Sequence, residues 1–396
     1  MIAPTTGVDI VRESYDVAVI GAGPAGAAAA YELVRAGLTV ALIERDDFRN
    51  ERMGETLHPD VQPLLRDMGI WAPFLESGAL RSWGVRSRWG EAEQQTQSHL
   101  LNAHQCGWHV ERRSFDRQLA HHAAQAGADL RLRTRVITSE RDARGWRLNL
   151  SGSPGCGDED GEWMIHACAC VDATGRRAQL GRSQRARLLR FDRLVGIAGR
   201  WRCASSRAHL AIESAPKGWW YFAPLPPAIA GEPGSIIALL MTDADLCVRH
   251  RLDTTQIWHA ALSDSHEYAM LETPGVPDAL RVCGAGSQRL LRGEADAVSP
   301  WLAVGDAALA LDPLTGSGVA RALRSGRDGA RALIAWHAGR GTAAMAAYEQ
   351  ALDLECDDFL HQRAYYYGAE TRWSDLPFWR RRAMSQVRPD RVAMRA

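Results

Sequence analysis

The stretch Gly21-Ala22-Gly23-Pro24-Ala25-Gly26 decides the fold, because of what flanks it. Before it, Tyr15-Asp16-Val17-Ala18-Val19-Ile20 is a short apolar run that reads as a buried parallel strand. After it, Ala27–Ala36 is rich in small residues with strong helix propensity. Leu38–Ile43 then predicts a second strand, which ends in Glu44. Strand, glycine turn, helix, strand and acid within about thirty residues form a dinucleotide-binding unit. Gly21 permits the tight turn, Gly23 lets the backbone approach a pyrophosphate, and Gly26 lets helix and strand pack closely. The helix N-terminus offers unpaired N–H groups and a partial positive charge to the phosphates. Glu44 is placed to bond a ribose diol.

Two later segments specify the dinucleotide. Trp301-Leu302-Ala303-Val304-Gly305-Asp306 is a buried strand ending in Gly-Asp, followed by Leu311-Asp312-Pro313-Leu314-Thr315-Gly316-Ser317-Gly318 and a helix-like run from Val319 to His337. Ala167–Gly175 is a strand ending in Ala-Thr-Gly. This set resembles the FAD-binding domain of the para-hydroxybenzoate hydroxylase, geranylgeranyl reductase and flavin-dependent halogenase superfamily. The resemblance implies FAD, with Gly21, Gly23, Ala25, Gly26, Glu44 and Arg45 on the ADP half. It also implies Gly305 and Asp306 at the ribityl and phosphate region, and Pro313, Gly316, Ser317 and Gly318 against the flavin pyrimidine. A helix N-terminus there would stabilise the anion of reduced flavin.

Composition bounds the rest. A chain of 396 residues can bury one large core or two intimate domains. Its 46% hydrophobic and 24% charged content is ordinary for a globular protein. No apolar run is long enough to span a membrane. Met1–Ser14 lacks a charged-then-apolar signal pattern. The eight cysteines are scattered and none forms CxxC, so the chain reads as cytoplasmic, without disulfides or a metal site. Cys168 and Cys170 alternate with alanine and are expected as buried small hydrophobes on one face. Zero net charge implies no general attraction to nucleic acid. Nearly all positive charge is arginine, and Lys217 is the only lysine. Trp379-Arg380-Arg381-Arg382 reads as a solvated helix face.

The expected architecture is α/β: a Rossmann-like FAD-binding domain, an inserted, mainly antiparallel β-sheet substrate domain, and C-terminal helices. The cofactor domain is discontinuous, over 1–80, 108–185 and 295–340. The substrate domain takes 81–107 and 186–294, with strand-like runs Leu194–Trp201, Trp219–Pro224 and Ile236–Thr242. Residues 341–396 form the C-terminal helical segment. Ser151–Gly161, rich in Gly, Pro and acids, reads as a loop between strands.

Further segments narrow the family. Gly54-Glu55-Thr56-Leu57-His58-Pro59, Gly107–Asp116, Gly218–Pro226, Met241–Leu246 and Tyr365–Arg382 resemble flavoproteins that mature tryptophan-derived quinone cofactors, a subgroup near the halogenases. The superfamily commonly puts an arginine on the flavin side at the place of Arg112; pairing with Asp116 or Glu111 is the alternative. Glu55 either caps the helix after Pro59 or lines the isoalloxazine. Flavin-dependent halogenases depend on a lysine that would fall near Leu80-Arg81-Ser82, where none stands. Arg81 cannot replace a neutral amine, because its guanidinium stays protonated.

The resemblance therefore implies an FAD-dependent monooxygenase acting through a flavin C4a-hydroperoxide. Its ring substrate is a tryptophan side chain in a peptide or protein. Such chemistry needs a dry pocket and an electron-rich carbon held close. Alternation puts Trp219, Tyr221 and Ala223 on one face of a strand and Trp220, Phe222 and Pro224 on the other, as pocket wall or as sheet core. Trp83, Trp89 and Trp108 are further candidates for the lining. His58 and His109 are candidate bases for removing the ring proton. Arg81, Arg86 and Arg88 could line a groove that pairs with acids of a precursor. There is no second complete glycine fingerprint for a nicotinamide dinucleotide. Members of this superfamily either bind NAD(P)H transiently or take reduced flavin from a separate reductase, and the resemblance to the halogenase side implies a separate flavin reductase. The alternatives are a hydroxylase of a free aromatic metabolite, a halogenase, a geranylgeranyl reductase-like enzyme, and a flavoprotein that holds a maturation partner without turnover.

Overall fold

The computed structural model describes residues 13–384, except 92, 101, 153–160, 204–207, 228–232, 272–274, 278 and 294–298. Most of the Ser151–Gly161 loop and nearly all of the Met1–Ser14 segment lie outside the described residues.

The glycine motif sits on a seven-stranded sheet. Its order is Asp129–Arg131, Val40–Ile43, Glu13–Ile20, Gly161–Asp172, Gly145–Gly152 and Arg135–Asp142, with Trp301–Ala303 also paired to Gly161–Asp172. Glu13–Ile20 is parallel to both neighbours, and Trp301–Ala303 extends the parallel part. Parallel strands are covered on both faces, so Val17–Ile20 and Val40–Ile43 are apolar and buried throughout. The helix Pro24–Arg35 starts with Pro in its first turn, where the missing N–H costs nothing. Its alanines let it approach the helix Gly318–Ala335 closely: a Cβ at Gly326 would lie 2.1 Å from the Ala25 carbonyl oxygen.

A second seven-stranded sheet runs Leu280–Gly284, Leu194–Arg202, Ser235–Asp243, Gly218–Leu225, Leu210–Ala215, Gly84–Arg88 and Gln95–Ser98. All its pairings are antiparallel except that of Leu210–Ala215 with Gly84–Arg88. The aromatic strand Gly218–Leu225 is central and buried at every position. Period-2 alternation holds. Trp219, Tyr221 and Ala223 share a face with Leu239 and Met241. Trp220 and Phe222 face the other way and pack on Trp258 of the helix Thr255–Ser263.

The helix Gly318–Ala335 passes through a π turn, where Gly339 has φ 79°, into the long helix Gly341–Ala369. The final helix Pro377–Met384 corrects one expectation. Its arginines are only partly a solvated face: Arg380 and Arg381 are exposed, but Arg382 is buried and pairs with Asp243 at 2.8 Å, its guanidinium 3.5 Å from the Phe378 ring centre. Arg381 pairs with Asp243 and Asp245. Cys168 also differs from expectation, being exposed while Cys170 is buried, because Gly161–Asp172 runs from the open rim of its sheet into the covered interior.

No described helix is long and apolar enough to cross a membrane. Among the described residues no group of three or more His, Cys, Asp or Glu could hold a metal ion.

Candidate functional site

Gly21 has φ +104°, and a Cβ there would lie 2.3 Å from the Ala173 carbonyl oxygen. Gly26 is tighter, its hypothetical Cβ 1.8 Å from the Gly21 oxygen. These two glycines serve packing. Gly23 differs: a Cβ there meets nothing within 4 Å, because the position borders a cavity of about 1040 Å³. No side chain caps the helix that begins after Gly23, and its first turn carries no acid. Its free N–H donors make an anion site.

Glu44 lies on the same cavity, followed by Arg45. The carboxylate of Glu44 accepts from the Ala22 N–H at 2.9 Å and from the Asp46 N–H at 3.3 Å. Burial raises its pKa, and Arg52 at 3.4 Å opposes that rise.

The other end of the cavity is built by the later motif. Gly305 has φ +57°, and a Cβ there would lie 2.7 Å from the Ala25 Cβ, so Gly305 locks the two glycine turns together. Asp306 faces the cavity with Arg176 Nε at 3.5 Å. Arg176 also donates to the Leu311 carbonyl at 2.8 Å, fixing the chain just before Pro313. Gly316 has φ +63°, and Pro313, Gly316, Ser317 and Gly318 all border the cavity. The helix Gly318–Ala335 again lacks a side-chain cap and a first-turn acid. Two uncapped helix N-termini thus open on one elongated space. That donor set fits a dinucleotide with a pyrophosphate in the middle and an electron-rich ring at one end.

Between the ends lie Arg112 and Glu55. Arg112 pairs with Asp116 and also borders the cavity. The pair is bidentate, at 3.1 and 3.2 Å, and Arg112 donates to the Met53 and Gly54 carbonyls at 2.6 and 3.1 Å. Arg52 also reaches Asp116, at 3.1 Å. Glu55 lines the cavity rather than capping the following helix, whose N-cap is Asp60. Burial pushes its carboxyl pKa up.

The candidate catalytic residues separate. Tyr221 reaches the cavity wall beside Leu239 and Met241. Trp219 shares its face but stands one layer back, donating Nε1–H to Tyr367 Oη at 2.9 Å. His109 is fully buried and does not line the first cavity; its Nδ1 lies 3.0 Å from Thr56 Oγ1, which lies 2.7 Å from Tyr221 Oη. Its depth corrects the expectation of a base at the cavity wall. Burial holds its pKa down to about 3, far below the usual histidine range.

His58 opens on a second cavity of about 1390 Å³, with its Nδ1 3.3 Å from Asp60. Trp89, Phe359, Tyr365 and Tyr366 wall this cavity. It shares Leu311, Thr315, Ser317 and Arg321 with the first as lining residues. Of the other tryptophans, Trp108 packs in the core on Phe74 and Trp83 lies under Arg81; neither lines a cavity. The expected arginine groove is not built: Arg81, Arg86 and Arg88 border neither cavity, and Arg88 pairs with Glu213. The second cavity carries Asp60, Glu91, Glu355 and Asp358 instead. Lys217 is exposed on the turn before the aromatic strand and borders neither cavity.

Sequence reasoning missed Arg52, Thr56, Arg176 and Tyr367. Most of their partners are far away in the chain, although Arg52 also pairs with Glu44 and Asp46 close by.

Residues 14–188 match the FAD binding domain family. LodB of Marinomonas mediterranea, described as an FAD-dependent oxidoreductase, is 27% identical over 381 residues, spanning 93% of this chain and 97% of LodB. The myxobacterial chondrochloren halogenase CndH has the same fold, with a TM-score of 0.82 at 23% identity over 93% of this chain and 86% of that one. The peptidyl tryptophan dihydroxylase QhpG, essential for tryptophylquinone cofactor biogenesis, superposes with a TM-score of 0.67 at 26% identity, over 93% of this chain and 78% of QhpG.

Proposed function

We propose that this chain, an FAD-dependent oxidoreductase, is a monooxygenase that hydroxylates an aromatic ring, the side chain of a tryptophan within a peptide or protein. The observation that carries the reading is that the two cavities share Leu311, Thr315 and Ser317 as lining. One space suits the dinucleotide. The other is wide, walled by Trp89, Tyr365 and Tyr366, and large enough for an indole with flanking backbone. The likeness to QhpG, a peptidyl tryptophan dihydroxylase, supports the same substrate class.

In this reading the first-turn N–H groups after Gly23 hold the pyrophosphate, with Gly21 and Gly26 shaping the turn. Glu44 and Arg45 take the adenosine side, and Asp306 the ribityl side. The Gly316–Gly318 amides face the pyrimidine edge of the ring, where the helix N-terminus favours negative charge. Glu55 and Arg112 line the ring space. Bound FAD supplies the reduction of dioxygen and delivers one oxygen atom. The chain holds the ring substrate against it and keeps water out. His58, facing the second cavity, is the group placed to accept the ring proton after oxygen addition. Residues 1–80, 108–185 and 295–340 act as the cofactor part, and 81–107 with 186–294 as the substrate part. A separate flavin reductase supplies electrons.

Halogenation is disfavoured by the position of Lys217, which is exposed and lines neither of these two cavities. The test is turnover with reduced flavin, oxygen and excess chloride and bromide, using a Trp-containing peptide and free tryptophan side by side. The expected product is hydroxylated and halogen-free, formed faster from the peptide because remote contacts position the ring. A halogenated product would replace this reading with a halogenase. Equal or higher rates with free tryptophan would leave a hydroxylase of small aromatics.

A further inference from the structure

Thr56, His109 and Tyr221 come from three separate strands, yet their polar atoms form one line. Tyr221 and Thr56 both line the first cavity. Thr56 Oγ1 is 2.7 Å from Tyr221 Oη, and His109 Nδ1, set back from the cavity, is 3.0 Å from Thr56 Oγ1. At the inner end His109 Nε2 is buried and has no hydrogen-bond partner. His209 acts electrostatically on this imidazole and disfavours its charged form, as burial does. The ring therefore carries a single proton, and the chain can run in either of two directions.

The orphaned nitrogen chooses between them. With the proton on Nε2, a buried N–H would be left without an acceptor, at a cost of about 1–3 kcal/mol, and orphaned N–H groups are rare in native interiors. With the proton on Nδ1, that N–H donates to Thr56 Oγ1. Thr56 then gives its own proton to Tyr221 Oη, and only a lone pair stays unused at Nε2. We infer that His109 is held as the Nδ1–H tautomer, and that the line from His109 through Thr56 to Tyr221 points outward. Tyr221 thus presents its hydroxyl as a hydrogen-bond donor to the flavin ring held in the first cavity. His109, which does not border the first cavity, is a positioning residue; Thr56 lines that cavity beside Tyr221 and relays the hydrogen bond. The inference rests on the assignment of that cavity to FAD. The histidine spectrum below reads the tautomer without FAD, so failure of either part is distinguishable.

The experiment has two arms. The protein is labelled in its histidine ring nitrogens, and long-range nitrogen–proton correlation spectra are recorded, with His109→Gln assigning the signal. The expected pattern is that of the Nδ1–H tautomer, unchanged from about pH 5 to about pH 8. An Nε2–H pattern, or titration in that range, overturns the inference. In the second arm the substrate-free FAD-bound protein is compared with Tyr221→Phe, Thr56→Val and Thr56→Ser. Loss of one donor should raise the FAD dissociation constant about two- to tenfold and shift the visible flavin bands. Thr56→Val should shift the bands in the same direction, and Thr56→Ser should restore them. Flavin bands and affinity unchanged in Tyr221→Phe would overturn the outward donor.

Discussion

Tyr367 donates its hydroxyl proton to Asp312 Oδ2 at 2.7 Å, joining the long C-terminal helix to the turn that begins the Gly316–Gly318 segment. Trp219 donates to the same hydroxyl from behind. Asp312 is buried, and desolvation raises its pKa against the pull of Arg363. The aromatic strand, the C-terminal helix and the cofactor turn are thus held by one short line of hydrogen bonds. Tyr367→Phe leaves a buried carboxylate short of a donor. The expected cost is about 1–3 kcal/mol, read as a lower melting temperature, together with weaker FAD binding as the turn loosens. Unchanged FAD affinity would mean that the turn does not depend on this anchor.

The glycines of the first motif should respond differently to substitution. Gly26→Ala forces a Cβ into the Gly21 carbonyl, so folding itself is impaired. Gly23→Val has room on the protein side and should give a folded protein that no longer binds FAD. Circular dichroism and flavin absorbance separate the two. A yellow, fully loaded Gly23→Val protein would contradict the pyrophosphate assignment.

His109 predicts an acid sensitivity. Its pKa is about 3 in the folded protein against an ordinary 6.5. Between those values the unfolded chain binds the proton and the folded one does not. Stability therefore rises with pH across this window and is lost as pH falls from about 6.5 toward 3, at about 1.4 kcal/mol per pH unit for this one group. His109→Gln should flatten the dependence of unfolding free energy on pH between about 6 and about 4. An unchanged slope would mean that His109 takes up its proton in the fold.

The last helix offers a contrast on neighbouring arginines. Arg382→Met leaves Asp243 buried with one partner fewer and should cost about 3 kcal/mol. Arg380 is exposed, and Arg380→Ala should change stability by no more than about 0.5 kcal/mol. Denaturant midpoints measure both. Equal small effects would return the helix to the solvated face that its sequence suggested.

The cofactor half was legible because its signals are local. Gly21, Gly23 and Gly26 act on backbone within a few residues of themselves, and Gly305 and Gly316 mark turns with positive φ. Alternation along Gly218–Leu225 separated Tyr221 from Trp220, since a strand has only two faces. Long-range chemistry was not legible. Thr56 meets Tyr221 across 165 positions, so neither strand hints at the hydroxyl line. The arginines before Met384 looked free because Asp243 and Asp245 stand more than a hundred positions earlier. The acids facing the second cavity come from three separate stretches, which only the packing of the fold brings together.

The central claim is insertion of one atom of dioxygen into an aromatic ring carried by a peptide. The most direct measurement is a single turnover of the FAD-loaded, chemically reduced protein with a Trp-containing peptide under isotopically heavy dioxygen, read by tandem mass spectrometry. The account predicts heavy oxygen on the indole, lost when Tyr365 and Tyr366 of the second cavity are both replaced by Asp. An unmodified peptide with dioxygen consumed as peroxide, or light oxygen from water on the indole, would contradict it.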